Sequence, residues 1–124
     1  MYKYIFFTNV LRVMDEKGLK KHELSDISGV SISFLSDLTT GKGNPSLKIM
    51  EQLADALETP LPLLLTTSDM DKETLDALAE GKLSKGIPFG HELICAILPD
   101  FQAFLVKQWA EEAKRKINAK EKGK

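Results

Sequence analysis

Residues 29–46 read GVSISFLSDLTTGKGNPS, a nearly uncharged stretch in which glycines punctuate helical spacing. Between Ile32 and Thr40, Leu35 and Leu38 fall three residues apart on one side, while Ser33, Ser36, Asp37 and Thr40 fall on the other. Ser31 is placed to cap such a helix and Gly41 to close it. A face turned to water would ordinarily carry Glu, Lys and Arg, which favour the helix more than serine or threonine does. Small hydrogen-bonding side chains instead let a helix approach a second surface closely and still offer donors and acceptors. The floor of the DNA major groove is such a surface.

Working outward, Lys21 to Ser28 has the pattern of a preceding helix that presents Leu24 and Ile27 and ends at Gly29. Gly29 supplies the positive φ of a tight helix-to-helix turn, and the small Ser25, four residues earlier, allows a close crossing. Upstream, a helix from about Ile5 to Lys17 carries Phe6, Val10 and Val13 on one stripe and stops at Gly18. Downstream, Asn44-Pro45-Ser46 forms a turn and helix start, and Leu47, Met50, Leu53, Ala54 and Leu57 make an amphipathic face that ends near Glu58. Thr59-Pro60 then reads as the cap and first position of a short segment carrying Leu61, Leu63, Leu64 and Leu65. No stretch alternates with period two between turn residues, so the fold class is all-α.

Ser68 with Asp71 opens a further helix to about Glu80, ended by Gly81, and residues 81–90 read as loop. His91 to Leu98 suits one helical turn or two. Pro99-Asp100 begins a last long helix in which Phe101, Leu105, Trp109, Ala113 and Ile117 follow at i+4 steps, with Phe104 beside them. That stripe requires a partner surface, which makes Phe101, Phe104, Leu105 and Trp109 candidates for dimerisation. Phe7, Leu11 and Met14 form a second stripe on the first helix, to be covered by the C-terminal half, by another subunit, or by a wider core. The organisation expected is a helix-turn-helix domain over 1–66, a helical oligomerisation segment over 67–118 and a flexible basic tail over 119–124.

Composition narrows the function classes. The longest apolar runs, IFF and LPLLL, are far below the roughly 18 residues of a membrane span. YKYIFF after Met1 has no secretory signal pattern, and the single Cys95 makes no internal disulfide, so the expected compartment is the cytoplasm. A formal net charge of −1 excludes a generally basic nucleic-acid binder, but the charge is uneven. Residues 1–65 hold seven Lys/Arg against eight Asp/Glu, residues 66–113 four against nine, and residues 114–124 six against one. Any nucleic-acid function must therefore rest on the local placement of a few lysines. His91 and Cys95, with only His22 as a second imidazole, make a poor metal site. No nucleophile, base and acid arrangement and no Gly-rich phosphate loop is identifiable, so neither an enzyme, a cofactor, a metal nor a small-molecule ligand is expected.

The segment KGLKKHELSDISGVSISFLSDLTTGKGNPSLKIMEQLADAL, with glycines at 18, 29 and 41, Asn44-Pro45-Ser46, and core positions 10, 13, 19, 24, 35, 38, 53 and 57, resembles the helix-turn-helix domain of the phage-repressor and Cro family. The match runs from about Phe6 to Leu65, and among subgroups it looks most like small regulators carried on conjugative plasmids. The resemblance implies a five-helix lambda-repressor-like domain whose third helix enters the major groove. Ile32, Ser33, Ser36 and Asp37 then become base-contact candidates. Lys21 and Lys42 would meet phosphates, as would Lys20, which stands where the family commonly has a Ser or Thr N-cap. The amides around Asn44, Ser46 and Leu47 open the fourth helix and would hold a phosphate by N–H groups and dipole.

The chain departs from the many family members with Gln or Arg at the reading positions. Ile32 or Phe34 would touch a thymine methyl and Asp37 would accept from a cytosine amino group, against packing for Phe34 and a surface ion pair for Asp37. The implied function is a sequence-specific transcriptional regulator, a repressor acting as a homodimer on a palindromic operator of double-stranded DNA. The alternative is an antitoxin or adaptor whose C-terminal helices hold a partner protein.

Overall fold

A computed structural model describes residues 2–67, 73 and 86–122. The chain divides into two compact units, residues 1–82 and 83–124. The described residues form helices and connecting turns, with no strand among them.

In the first unit α1 spans Tyr2–Lys17, α2 Lys21–Ser28, α3 Ile32–Thr39, α4 Leu47–Ala56 and α5 Leu61–Leu64. Each boundary has a local cause. At the end of α1, Gly18 takes φ 67° and Leu19 N donates to Met14 O at 2.9 Å, which satisfies a carbonyl that the helix leaves open. Ser31 Oγ accepts from Phe34 N at 3.1 Å and Ser46 Oγ from Ile49 N at 3.2 Å, capping α3 and α4.

The core is one cluster built by α1 to α5: Phe6, Val10, Val13 and Met14 of α1, Leu24 of α2, Leu35 and Leu38 of α3, Leu53 and Ala54 of α4, and Leu64 of α5, with Val30 and Leu57 from the turns. Burying each large aliphatic side chain contributes about 1.5–3 kcal/mol, and this is what holds short helices of marginal intrinsic stability. Leu19 packs at the edge of the cluster. The second stripe of α1 resolves as a wider core, because Met14 is buried and Phe7 packs against the cluster, while Leu11 stays exposed.

Several expectations are corrected. Helix α1 begins one turn earlier than Ile5, since Ile5 is itself fully buried and the Tyr4 ring packs edge-on to Phe7 at 5.7 Å. Ile27 and Leu47 lie outside the core and are exposed, because the arc of α2 and α4 that meets the other helices is narrower than the apolar spacing suggests. Helix α4 ends at Ala56, and Glu58 takes the left-handed conformation at φ 51°. Thr59 does not cap α5. Its hydroxyl donates back to Leu57 O at 3.0 Å, Pro60 is the extended N-cap residue, and Pro62 occupies the first turn.

In the second unit the described part of 86–99 is turn and coil, and α6 spans Asp100–Lys122. His91 to Leu98 is not helical. Gly90 before it and Pro99 after it disfavour helix at both ends, and a single turn has no buried face to support it. The helix face that would set His91 and Cys95 one turn apart is therefore not formed. Asp100 places a negative charge at the start of α6, and Glu112 pairs with Lys116 one turn on, at 3.6 Å. Residues 119–122 continue the helix. The helix expected from Ser68 and Asp71 to Glu80, with its stop at Gly81, lies outside the described residues apart from Glu73, which is helical. No helix among the described residues is long and apolar enough to cross a membrane.

Candidate nucleic-acid interface

The turn between α2 and α3 is held by its own side chains. Gly29 takes φ 78° and its N–H donates to Ser25 O at 2.9 Å. Ser25 Oγ donates to Val30 O at 2.6 Å, and Val30 N donates in turn to Ser28 Oγ at 3.1 Å. Val30 is buried beneath these bonds. Gln52 of α4 reaches the same corner, its Nε2 lying 3.5 Å from Ser28 O. Ser25 thus does more than permit a close crossing, since it closes the turn that aims α3.

At about 100° per residue, positions 32, 36, 40, 33 and 37 fall within an arc of about 140° on α3 and its C-cap, and positions 34, 38, 35 and 39 fill the opposite arc. Burial follows that division. Ile32, Ser33, Asp37 and Thr40 are exposed and Ser36 is half-buried, while Leu35 and Leu38 are in the core. Phe34 packs against the core and is withdrawn from the outer face. The four base-contact candidates therefore share one face.

The threonines at the end of α3 have committed their protons. Thr39 Oγ1 donates to Ser36 O at 3.1 Å, and Thr40 Oγ1 lies within 3.1 Å of Ser36 O and 3.0 Å of Asp37 O. The Asp37 carboxylate makes no hydrogen bond or ion pair among the described residues.

Lys42 follows immediately, on backbone that the helix pins: Lys42 N and Gly43 N both donate to Asp37 O, at 2.9 and 3.2 Å. Gly43 is buried, and a Cβ there would meet Leu38 N at 3.2 Å and Leu38 Cα at 3.3 Å, so any larger residue after Lys42 would push the loop and the end of α3 slightly apart. Lys20 and Lys21 are exposed at the start of α2. The missing Ser or Thr cap at Lys20 is offset from the other side, because the Glu23 carboxylate accepts from Lys20 N at 3.1 Å. That is half a capping box. An ammonium cannot accept the reciprocal bond from the Glu23 amide.

Asn44 and Ser46 are exposed before α4, with Ser46 acting as its cap. The N–H groups of Leu47 and Lys48 precede the first intrahelical bond of α4 and point out of its end. Lys48, Glu23, Gly43 and Gln52 have no place in the reading of the sequence. Lys48 had a visible signal, since a cation in the first turn opposes the helix dipole and needs a reason to be there. Phe101, Phe104 and Trp109 are exposed on α6 and Leu105 is half-buried.

Two short helices locked at a glycine turn, the second presenting a polar outer face with cations before and after it, define a helix-turn-helix DNA-binding protein. A family model described as helix-turn-helix matches residues 10–64. The chain is 37% identical over 62 residues to an uncharacterized HTH-type transcriptional regulator, y4dJ, of Sinorhizobium fredii (strain NBRC 101917 / NGR234), spanning 50% of this chain and 80% of that one. It is 50% identical over 34 residues to the TrfB transcriptional repressor protein of Escherichia coli, across 27% of this chain and 34% of that protein. Among solved structures, a chain of the SinR protein/SinI protein complex superposes with a TM-score of 0.55 at 22% identity, covering 87% of this chain and 98% of that one. That last likeness concerns the fold.

The chain belongs to the phage-repressor/Cro-type helix-turn-helix family of transcriptional regulators, and its function is DNA binding in transcription regulation.

Proposed function

We propose that the protein is a transcriptional repressor that binds a palindromic operator as a homodimer in the cytoplasm, in the manner of the small plasmid-borne regulators its sequence resembles. The observation that carries this reading is the outer face of α3, where Ile32, Ser33, Ser36 and Asp37 are presented together with Leu35 and Leu38 anchored behind them. These four residues read bases. Lys20, Lys21, Lys42, Asn44 and Ser46 hold phosphates on either side and so set the register of α3 in the groove. Residues 1–66 carry the DNA-binding work, 67–118 the oligomerisation and 119–124 a basic tail. Repression is favoured over activation by the similarity to the TrfB transcriptional repressor protein.

Dimerisation is supported by the exposed aromatics of α6. Two copies of Phe101, Phe104 and Trp109 would remove roughly 600–1,000 Å² from water, about half of what a standard interface of about 1,200–2,000 Å² needs. Two recognition helices would then reach half-sites about 34 Å apart on one face of the duplex.

Selection of bound sequences from a random duplex pool at fixed salt tests the reading. The expected product is an inverted repeat, and general salt-sensitive binding with no enriched sequence overturns it. Lys21→Ala and Lys42→Ala should each weaken binding to all duplexes and lower the salt slope by about 1.

A second reading, an antitoxin or adaptor, rests on the same exposed face of α6, and the structurally similar SinR chain comes from a complex with the SinI protein. Sedimentation of the purified chain separates the two. A closed dimer across micromolar concentrations favours the homodimeric repressor, and a monomer with α6 still open favours the partner protein.

A further inference from the structure

We infer that α3 reads its half-site by acceptor and methyl chemistry, with Asp37 selecting cytosine and Ile32 selecting thymine, and without bidentate recognition of guanine. The inference rests on the proposed DNA-reading role of α3 and concerns which bases that face accepts.

The face of α3 has few groups left to offer a base. Guanine presents two acceptors, N7 and O6, to the major groove and is read by paired donors, usually from Arg or Lys. Between Gly29 and Gly41 the chain has no Lys, Arg, Asn or Gln. The hydroxyl protons of Thr39 and Thr40 are spent on carbonyls of α3, and Ser31 Oγ is occupied in capping Phe34 N. Ser33 and Ser36 remain, each with a single rotatable proton, which suits either donor or acceptor partners and discriminates weakly.

Asp37 is different. It is exposed, carries a full acceptor-only charge, and has no partner among the described residues. Brought against a polyanion, that carboxylate is repelled unless a base edge supplies a donor. Cytosine N4 does so cleanly, whereas adenine sets its N7 lone pair beside the N6 amino group and pushes a carboxylate away. Asp37 therefore penalises wrong sequences more than it rewards right ones, because elsewhere it is desolvated without a partner. Ile32, at the other end of the same arc and 49% exposed, offers only methyl and methylene groups, and the thymine C5-methyl is the apolar feature of the groove. Phe34, the other apolar candidate, is held by the core. Ile32 and Asp37 are five positions apart, about 7.5 Å along the helix, so the thymine and the cytosine should lie about two base-pair steps apart.

The test uses the full chain. Bound sequences are selected with the wild type, Asp37→Asn and Ile32→Ala at one salt concentration, and the selected duplex is then remade with deoxyuridine at the candidate thymine. The wild type should enrich a half-site with cytosine and thymine about two steps apart. Asp37→Asn should shift the cytosine to adenine, which asparagine reads bidentately, and should bind non-operator duplex more tightly. Removing the thymine methyl should weaken wild-type binding about 5–10-fold and leave Ile32→Ala indifferent.

If Asp37→Asn selects the wild-type sequence unchanged, or if deoxyuridine is tolerated at every thymine, the inference fails while α3 remains a DNA reader. If the wild type enriches no sequence, the proposed DNA-reading role falls and the inference falls with it. The deoxyuridine comparison alters only the DNA, so its outcome does not depend on either variant folding.

Discussion

The two units of this chain spend their apolar residues in opposite ways. In the first, thirteen hydrophobic side chains among the described residues are buried, and all but Ile5 are joined in one cluster that α1 to α5 all enter. In the second, none of the described residues 86–120 is buried, although Phe89, Leu93, Ile94, Ile97, Phe101, Phe104 and Trp109 are all present. Large hydrophobic side chains thus close a fold in one place and stand exposed in the other. A helix-turn-helix unit must be rigid before it meets DNA, because α3 is aimed by its core residues. A surface that joins molecules has to remain uncovered until the second molecule arrives.

The closed side depends most on Leu38. It lies at the centre of the buried arc of α3, 1% exposed, with the backbone of Gly43 against its own. Leu38→Ala should destabilise the first unit by about 3 kcal/mol, within the range for fully buried leucines, and reduce DNA binding through loss of folded protein. Urea unfolding followed by circular dichroism measures it, and a loss below about 1 kcal/mol would mean that α3 is not anchored as described. Next is Asn9, whose amide donates to Leu64 O at 2.9 Å and Thr66 O at 3.0 Å and so ties the end of α5 to α1. Asn9→Leu keeps the branched outline of the side chain but withdraws two donors from buried carbonyls, at a cost of about 2 kcal/mol on the same assay.

Trp109 tests the open side. Trp109→Ala removes no member of the first unit's core, so it should move that unit's stability by less than about 0.5 kcal/mol while weakening self-association by about 1–2 kcal/mol. Trp109 is the chain's single tryptophan, which makes its emission a direct reporter. On dilution through the dissociation range the wild-type emission should shift to the red, and an emission maximum independent of concentration would remove α6 as the interface.

How much of this was legible depends on whether a property is carried by spacing or by contact. The positions of α1 to α4, the turn at Gly29 and the caps at Ser31 and Ser46 follow from periodicity and from residues with strong local preferences. The outer face of α3 was legible for the same reason, because a helix of eight residues fixes which side chains share a side. Asn9 was not legible. A polar residue within an apolar stripe gives no hint of carbonyls 55 and 57 residues away that it will satisfy. Gly43 carries no signal in the sequence either, because what favours glycine there is the nearby backbone of Leu38, which spacing does not reveal. His91 to Leu98 has the apolar content of a helix, but content without a partner face does not make one.

Glu58 gives the smallest effect and the finest test of what the first unit tolerates. Helix α4 ends as α1 does: Thr59 N donates to Ala54 O at 3.0 Å and Glu58 N to Asp55 O at 3.1 Å, the same pattern that closes on Gly18. Gly18 takes its positive φ freely, whereas Glu58 at φ 51° holds a side chain where its Cβ crowds the carbonyl. Relief of that crowding by Glu58→Gly is worth about 1–2 kcal/mol in the folded state. The added freedom of an unfolded glycine takes back about 0.5–1 kcal/mol. The net is a gain of about 0.5–1 kcal/mol, seen as a higher urea midpoint with the slope unchanged and with DNA affinity unaltered, since Glu58 lies outside the proposed site. A loss of stability would instead mean that the exposed carboxylate contributes more at this corner than the strained backbone costs, and that α4 is closed by its side chains rather than by its turn.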